Sequence, residues 1–270
     1  MADFVRKDVT GMKIGFCAKL ERINEVAAGG YDYIELPVSA AAAWTEDEFA
    51  RNLELLRAAS IPAPAFNVLF PGDIALLNPD TSDETISDYL EKALARVEAL
   101  GGKTVVFGSG KSRTRPEAVP YDEAFRRLIA VTRLIGDAAA RHGVTIVIEA
   151  LNRGETNMIN SVAEGACLRA AVNHPSVQLL ADYYHIAVEG HDPADLARLG
   201  GIAHCHIATE VGREAPLQPE EGFTKLFSAM KQTGYQGIIS VEGRCDDLRR
   251  DGPATVALLK SLWEKAAILS

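Results

Sequence analysis

Eight short apolar runs, each followed by an amphipathic stretch, predict an α/β protein folded as one closed (β/α)₈ TIM barrel. The runs occupy residues 13–17, 33–38, 63–69, 104–107, 145–150, 177–182, 203–207 and 237–242. They are rich in Val, Ile, Leu and Phe, and several are apolar throughout, as strands covered on both faces of a parallel sheet are. Length is the second observation: 270 residues hold eight such units and leave little over. The third is continuity. No linker, low-complexity run or shift in composition divides the chain, so a single domain over residues 1–270 is expected.

The helical stretches follow in order. Residues 20–28 end at Gly29-Gly30, a helix stop just ahead of the second strand. Thr45 opens the next segment with Glu48 three residues on, the pattern of a capping box. Residues 82–100 end at Gly101-Gly102, and residues 121–142 end at Gly143. Residues 161–172, 193–199, 223–233 and 253–268 complete the set. A barrel of this kind places its active site at the C-terminal ends of the strands and in the loops that follow.

Composition excludes several classes. With 28 basic against 37 acidic residues the formal charge is −9, which opposes a nucleic-acid surface but leaves room for a small, uncharged or weakly anionic substrate. No window approaches the roughly 18 apolar residues of a membrane span, and residues 1–8 lack the apolar centre of a secretory signal. Cys17, Cys167, Cys205 and Cys245 form no CxxC pair and read as reduced thiols. A cytoplasmic protein with no nucleic-acid or membrane partner is the expectation.

Four strand ends break an apolar run with a side chain able to bind metal. The fifth run reads TIVIE to Glu149, the sixth VQLLAD to Asp182, the seventh HCH to His206 and the eighth IISVE to Glu242. A lone carboxylate after a strand is usually a rim ion pair or a cap. Four consecutive strands repeating the pattern, converging on one barrel mouth, are harder to explain so, because buried carboxylates are costly without a cation. Two Glu, one Asp and one His make a hard, oxygen-rich donor set suited to one divalent ion, Mg²⁺, Mn²⁺ or Co²⁺, with Zn²⁺ a further option. His204 shares a strand face with His206 but lies one pleat deeper, so it reads as a hydrogen-bonded interior residue.

The stretches IEALNRGETNMINS (residues 148–161), LLADYYHIAVEG (179–190), HCH (204–206) and SVEGR (240–244) resemble the xylose-isomerase-like superfamily. The nearest subgroups are the sugar isomerases and ketose 3-epimerases, with hydroxypyruvate isomerase as a relative. Residues 14–17 and 30–37 also look like that family's first two strands, so the resemblance covers most of the chain. It implies that Glu149, Asp182, His206 and Glu242 are metal ligands. Glu155 matches a substrate-contacting Glu, and His185 a contact to a substrate hydroxyl, with Glu155 expected to orient His185. Arg213 resembles the Arg that follows the His ligand, but sits about one residue later, in a loop (residues 211–222) unlike theirs. A dimer or tetramer is also implied.

Such a site polarises the carbonyl of a keto sugar and stabilises the enediolate left when a neighbouring C–H proton departs. Glu149 and Glu242 are the candidate acid and base. Transfer from opposite faces inverts the carbon, a 3-epimerisation; transfer along one face gives aldose–ketose isomerisation. The residues alone leave both open. A lyase of the inosose dehydratase type would use the same enolate chemistry. A DNA hydrolase of the endonuclease IV type would want more histidines after early strands, yet none precedes His142. A sugar-binding protein without catalysis is disfavoured by the apparently intact ligand set.

The remaining motifs carry less. Gly108-Ser-Gly-Lys-Ser112 fails as a phosphate loop, because the pattern needs Gly where Val105 stands. Lys111, Arg113 and Arg115 offer charges for an acid group, although a solvated loop is the simpler expectation. Asn67 and Phe70 are candidate pocket wall, and Trp44 a candidate stacking surface. His142, His174 and His191 are expected at the surface.

Overall fold

Alternate residues of each strand face opposite ways, and here the two faces enter separate apolar clusters. A computed structural model describes residues 11–268; residues 1–8, read above for a secretory signal, lie outside the described residues. Along the chain come β1 (Ile14–Cys17), α1 (Ile23–Ala28), β2 (Tyr33–Pro37), α2 (Val38–Ala43), α3 (Glu46–Ala58) and β3 (Ala65–Asn67). They are followed by α4 (Asp83–Ala99), β4 (Thr104–Phe107), α5 (Gly110–Arg113), α6 (Tyr121–Arg141), β5 (Thr145–Ile148) and α7 (Val162–Val172). The last third holds β6 (Val177–Asp182), α8 (Tyr183–Val188), β7 (His204–Ile207), α9 (Glu221–Gln232), β8 (Ile239–Val241) and α10 (Leu248–Lys265). Every strand pairs in parallel with its sequence neighbours, and β8 closes on β1. The eight strands stand where the hydrophobic pattern puts them.

Ile146, Ile148, Leu179, Cys205, Ile207 and Ile239 face outward into the large core beneath the helices. Val106, Val147 and Leu180 face inward and form a small cluster of their own. Across the barrel from that inner cluster, on the side of β7, β8, β1 and β2, the interior turns polar. Tyr33, Glu35, His204, His206 and Ser240 are all essentially inaccessible to solvent. Room for this layer is made by Gly15, where a Cβ would lie 2.2 Å from the Tyr33 ring.

Several helix ends follow the expected chemistry. Glu48 N–H donates to Thr45 Oγ1 at 3.2 Å while Thr45 N–H donates to Glu48 Oε2 at 2.8 Å, so the capping box is complete. Ser82 and Ser161 cap α4 and α7 through their side chains. Three short helices, α2, α5 and α8, were not expected, being four to six residues long. The Ala-rich α2 is held from outside its own sequence: buried Arg96 donates to the carbonyls of Ala41, Ala42 and Trp44 at 2.8, 3.2 and 2.6 Å. These are carbonyls that a helix C-terminus leaves unpaired. The segment expected as a helix at residues 193–199 is a 3₁₀ turn, Pro193–Arg198. The last helix starts five residues earlier than expected, capped by Asp247, and carries Pro253 in its second turn.

No helix among the described residues is long and apolar enough to cross a membrane. All four cysteines are free thiols. Replacing Gly15 by Ala should force Tyr33 out of the inner layer and cost about 1–3 kcal/mol. Urea unfolding of the two proteins measures that loss.

Candidate metal centre

Period two along each strand places Glu149 one pleat beyond Val147 and Asp182 one pleat beyond Leu180, both aimed into the barrel mouth. Pairing sets Asp182 beside His206, and His206 beside Ser240, which puts Glu242 one pleat higher, just past the end of β8. The result is a single cluster: Glu149, Asp182, His206 and Glu242 each offer a ligand atom, all within 4.8 Å of one another. His206 Nδ1 lies 3.4 Å from Glu149 Oε1 and 3.5 Å from Glu242 Oε2.

Three of these atoms are buried without a hydrogen-bond partner: Glu149 Oε1, Asp182 Oδ2 and His206 Nδ1. Asp182 spends its other oxygen capping α8, accepting from Tyr184 N–H at 2.8 Å. Burial drives the Asp182 carboxyl well above its usual range, and the charges of Glu242 and Glu149 add to it. Glu242 moves the other way. Burial opposes its ionisation, but His206 and then Arg213 outweigh this and hold it at about 2. Like-charged groups at such spacing repel strongly in a dry site. A divalent cation relieves that repulsion and satisfies the orphaned atoms at once, so the donor set fits a hard metal ion.

The groups around the cluster are held in turn. Asn67 Nδ2–H donates to Glu242 Oε1 at 3.0 Å. Arg213 Nη2–H donates to Glu242 Oε2 at 2.5 Å and lies 3.6 Å from Asp182 Oδ2, while Nη1–H reaches Glu155 Oε1 at 3.1 Å. The guanidinium packs over the Tyr184 ring at 4.6 Å. It gets there through a left-handed backbone, φ +50° at Arg213 directly after Gly212 at +85°. Val68, also lining the mouth, has φ +48°, a conformation β-branched residues seldom adopt. The opening is a cavity of about 370 Å³ bounded by Cys17, Asn67, Val68, Arg213, Glu242 and neighbouring residues. That volume lies near the low end of the usual range for small-molecule sites.

His185 is buried, with Nδ1 accepting from the backbone and side-chain N–H groups of Asn152, both at 3.0 Å. Its Nε2 is thereby the protonated nitrogen; it lies 3.6 Å from Asp182 Oδ2 and is otherwise unpartnered. Burial, with the Arg213 charge beside it, pushes the imidazole down to about 4. Glu155 was expected to orient His185. Instead Glu155 bonds Arg213 and Asn152, and Asn152 does the orienting.

Other expectations shift. Arg113 is not solvated: it is fully buried, donating to Phe107 O at 3.0 Å and stacking on the Phe107 ring at 5.5 Å. Burial lowers its pKa to about 10, with Glu149 opposing. Arg115 ties its own loop together through Val119 O at 2.7 Å, and Lys111 is exposed. Phe70 is core, packed on Tyr89 and Phe107, and Trp44 packs at the core's edge. His142 lies between Glu91 and Glu98, and His174 beside Asp137, at partly covered surface positions.

Sequence reasoning passed over Glu35. Its Oε1 accepts from His206 Nε2–H and its Oε2 from His204 Nε2–H, both at 2.8 Å, and Ser240 O–H donates to Oε2 at 2.5 Å. Burial opposes a charge at Glu35, but His206 and His204 together hold it ionised. The signal was present as one acid in the apolar run YIELP of β2, the same pattern that marks Glu149.

The chain belongs to the Xylose isomerase-like TIM barrel family, whose model matches residues 23–263. It is 29% identical over 178 residues to a 3-dehydro-D-guloside 4-epimerase of Escherichia coli (strain K12), covering 61% of this chain and 64% of that one. To an L-ribulose 3-epimerase of Methylomonas sp. (strain DH-1) it is 28% identical over 252 residues, 89% of this chain and 84% of that one. The fold superposes with a TM-score of 0.82 on a crystal structure of a D-allulose 3-epimerase from Methylomonas sp. in complex with D-allulose. That match has 22% identity and covers 93% of this chain and 97% of that one. The chain is thus a member of that family with a buried acidic and histidine cluster at its barrel mouth, and the relatives it resembles include sugar epimerases.

Two measurements probe the cluster. A Cβ at Gly108 would stand 2.0 Å from Glu149 Oε2, so Gly108→Ala should displace that carboxylate. We expect the affinity for Mn²⁺ or Co²⁺, read by calorimetry, to fall by about tenfold or more. His185 supplies a pH signature in chelator-treated protein. Its folded value is about 4, and its unfolded value is about 6.5. Between them the unfolded chain takes up a proton that the folded chain refuses. Its contribution is therefore fully present above pH 6.5 and fades as pH falls toward 4, by about 3 kcal/mol at most. Urea unfolding at pH 7 and pH 4.5 should show a smaller difference for His185→Gln than for the unaltered chain.

Proposed function

We propose that this protein is a divalent-metal-dependent epimerase or isomerase of keto sugars, working through an enediolate. The observation that carries the reading is the convergence of Glu149, Asp182, His206 and Glu242 with three of their buried atoms left unpaired. When bound there, Mg²⁺, Mn²⁺ or Co²⁺ supplies Lewis-acid polarisation of the carbonyl and stabilises the negative charge that develops.

Asp182 and His206 serve as ligands, and Glu149 and Glu242 both as ligands and as the acid–base pair. The two glutamates rise from the ends of β5 and β8, three strands apart around the ring, so they enter the cluster from different sides. A sugar carbon between them loses its proton to one and regains it from the other. That arrangement favours inversion at the carbon, and the epimerase relatives support the same choice. Arg213 and Asn67 hold the Glu242 carboxylate through separate oxygens, fixing its direction. His185 presents Nε2–H as a neutral donor to a substrate hydroxyl, with Asn152 fixing the tautomer. Glu155 anchors Arg213 and contacts the sugar from the rim.

The test is proton exchange. Metal-loaded protein is incubated in D₂O with ketoses, hydroxypyruvate and inososes, and followed by NMR. Deuterium should enter at C3 of a ketose as its 3-epimer appears. Absence of C–H exchange on every compound, with metal occupancy confirmed, would sink the reading. Glu149→Gln and Glu242→Gln should each lower turnover by at least about 100-fold. Full activity in either variant removes that residue from its role.

A further inference from the structure

The polar layer beneath the metal cluster poses a question of chemistry: which nitrogen of His206 is free to bind an ion. Glu35 answers it. A carboxylate only accepts hydrogen bonds, so each nitrogen bonded to it must carry a proton. Glu35 Oε1 takes His206 Nε2 and Glu35 Oε2 takes His204 Nε2, each at 2.8 Å. In the neutral imidazole the lone pair is then on Nδ1 for both rings. His206 Nδ1 is the buried, unpartnered atom that faces Glu149 and Glu242.

We infer that Glu35 is the positioning residue of the metal site, one carboxylate that fixes the tautomers of His204 and His206 and makes His206 Nδ1 the ligating atom. This rests on the metal-dependent reading above. A rival role is open to Glu35, because Cys17, Glu35 and His206 also bring ligand atoms within 4.8 Å of one another. The hydrogen bonds decide against it. Both Glu35 oxygens are already engaged, and Oε2 also receives Ser240 O–H at 2.5 Å. Ser240 Oγ in turn meets the Tyr33 hydroxyl at 2.7 Å, so the carboxylate is braced on a second side. The His206 nitrogen facing Glu35 is occupied by the proton it donates. Glu35 and both imidazoles are wholly buried. Sheltered from bulk solvent, these bonds pass their geometry directly to the ligand.

Glutamine at position 35 is nearly the same shape but presents one acceptor and one N–H₂ donor. It cannot accept from both imidazoles, so one ring must change tautomer or lose its bond. Calorimetry with Co²⁺ should show Glu35→Gln binding about 10- to 100-fold more weakly, while Cys17→Ser changes affinity by less than about threefold. The wild-type protein labelled with ¹⁵N-histidine and loaded with Zn²⁺ gives an independent readout: His206 should show a proton on Nε2 and metal on Nδ1. That spectrum decides even if Glu35→Gln does not fold.

Three results would overturn the inference: ligation through Nε2, unchanged affinity in folded Glu35→Gln, or Cys17→Ser weakening binding as much as Glu35→Gln. Failure of the wild-type chain to take up Co²⁺ or Zn²⁺ would remove the metal-dependent reading itself, and the inference with it. Uptake with any of the three results above removes the inference alone.

Discussion

Barrel closure forces inward-facing residues of separate strands into one small volume, and at the mouth of this barrel three of the four are carboxyls. Their ligand atoms, with that of His206, lie within 4.8 Å of one another. Carboxylates so placed in a desolvated site repel; burial and then the charges of Glu242 and Glu149 push Asp182 up, while His206 and Arg213 hold Glu242 down. The surrounding structure answers that stress. Arg213 brings a positive charge from the β7–α9 loop, Asn67 donates from β3, and Gly108 leaves space for the Glu149 carboxylate.

The second consequence lies below the cluster. A barrel interior is ordinarily filled with branched apolar side chains, and one side here, Val106, Val147 and Leu180 from β4, β5 and β6, follows that habit. The opposite side of the interior exchanges apolar packing for Tyr33, Glu35, His204 and Ser240. A buried polar layer is stable only when its members satisfy one another. Glu35 connects two histidines and a serine, and the serine reaches Tyr33. The arrangement gives up apolar burial for fixed direction at one imidazole.

Much of this was legible in the sequence because two periodicities coincide there. Apolar runs at barrel spacing announce the strands, and a charged residue on the inward face at a run's end announces the mouth; Glu149, Asp182, His206 and Glu242 satisfy both. Glu35 carries the same mark but lies within β2 rather than beyond it, and its meaning depends on two histidines some 170 positions away. Arg113 misled for the converse reason. Lys-Ser-Arg-Thr-Arg reads as a solvated loop, yet the chain folds that guanidinium onto Phe107. The short helices α2, α5 and α8 have too few residues to show a period, and α2 depends on Arg96 from α4. The partner of His185 could not be read from spacing, since Asn152 and Glu155 sit on the same loop and only geometry separates them.

Arg213 reaches the site along an unusual path. Its backbone is left-handed, its loop is pinned to the residues after β8 by the Glu214–Arg244 ion pair and bridge, and its side chain lies over Tyr184. The guanidinium is therefore aimed by the length and twist of a connecting segment, whereas the four clustered groups are aimed by the barrel itself. These are separable parts of one molecule. Lengthening or shortening that segment by a residue would redirect a charge across the cavity and free one Glu242 oxygen, while the strands would still bring the four groups together. The charge at the mouth is thus written in a loop, and the position of the cluster in the strands.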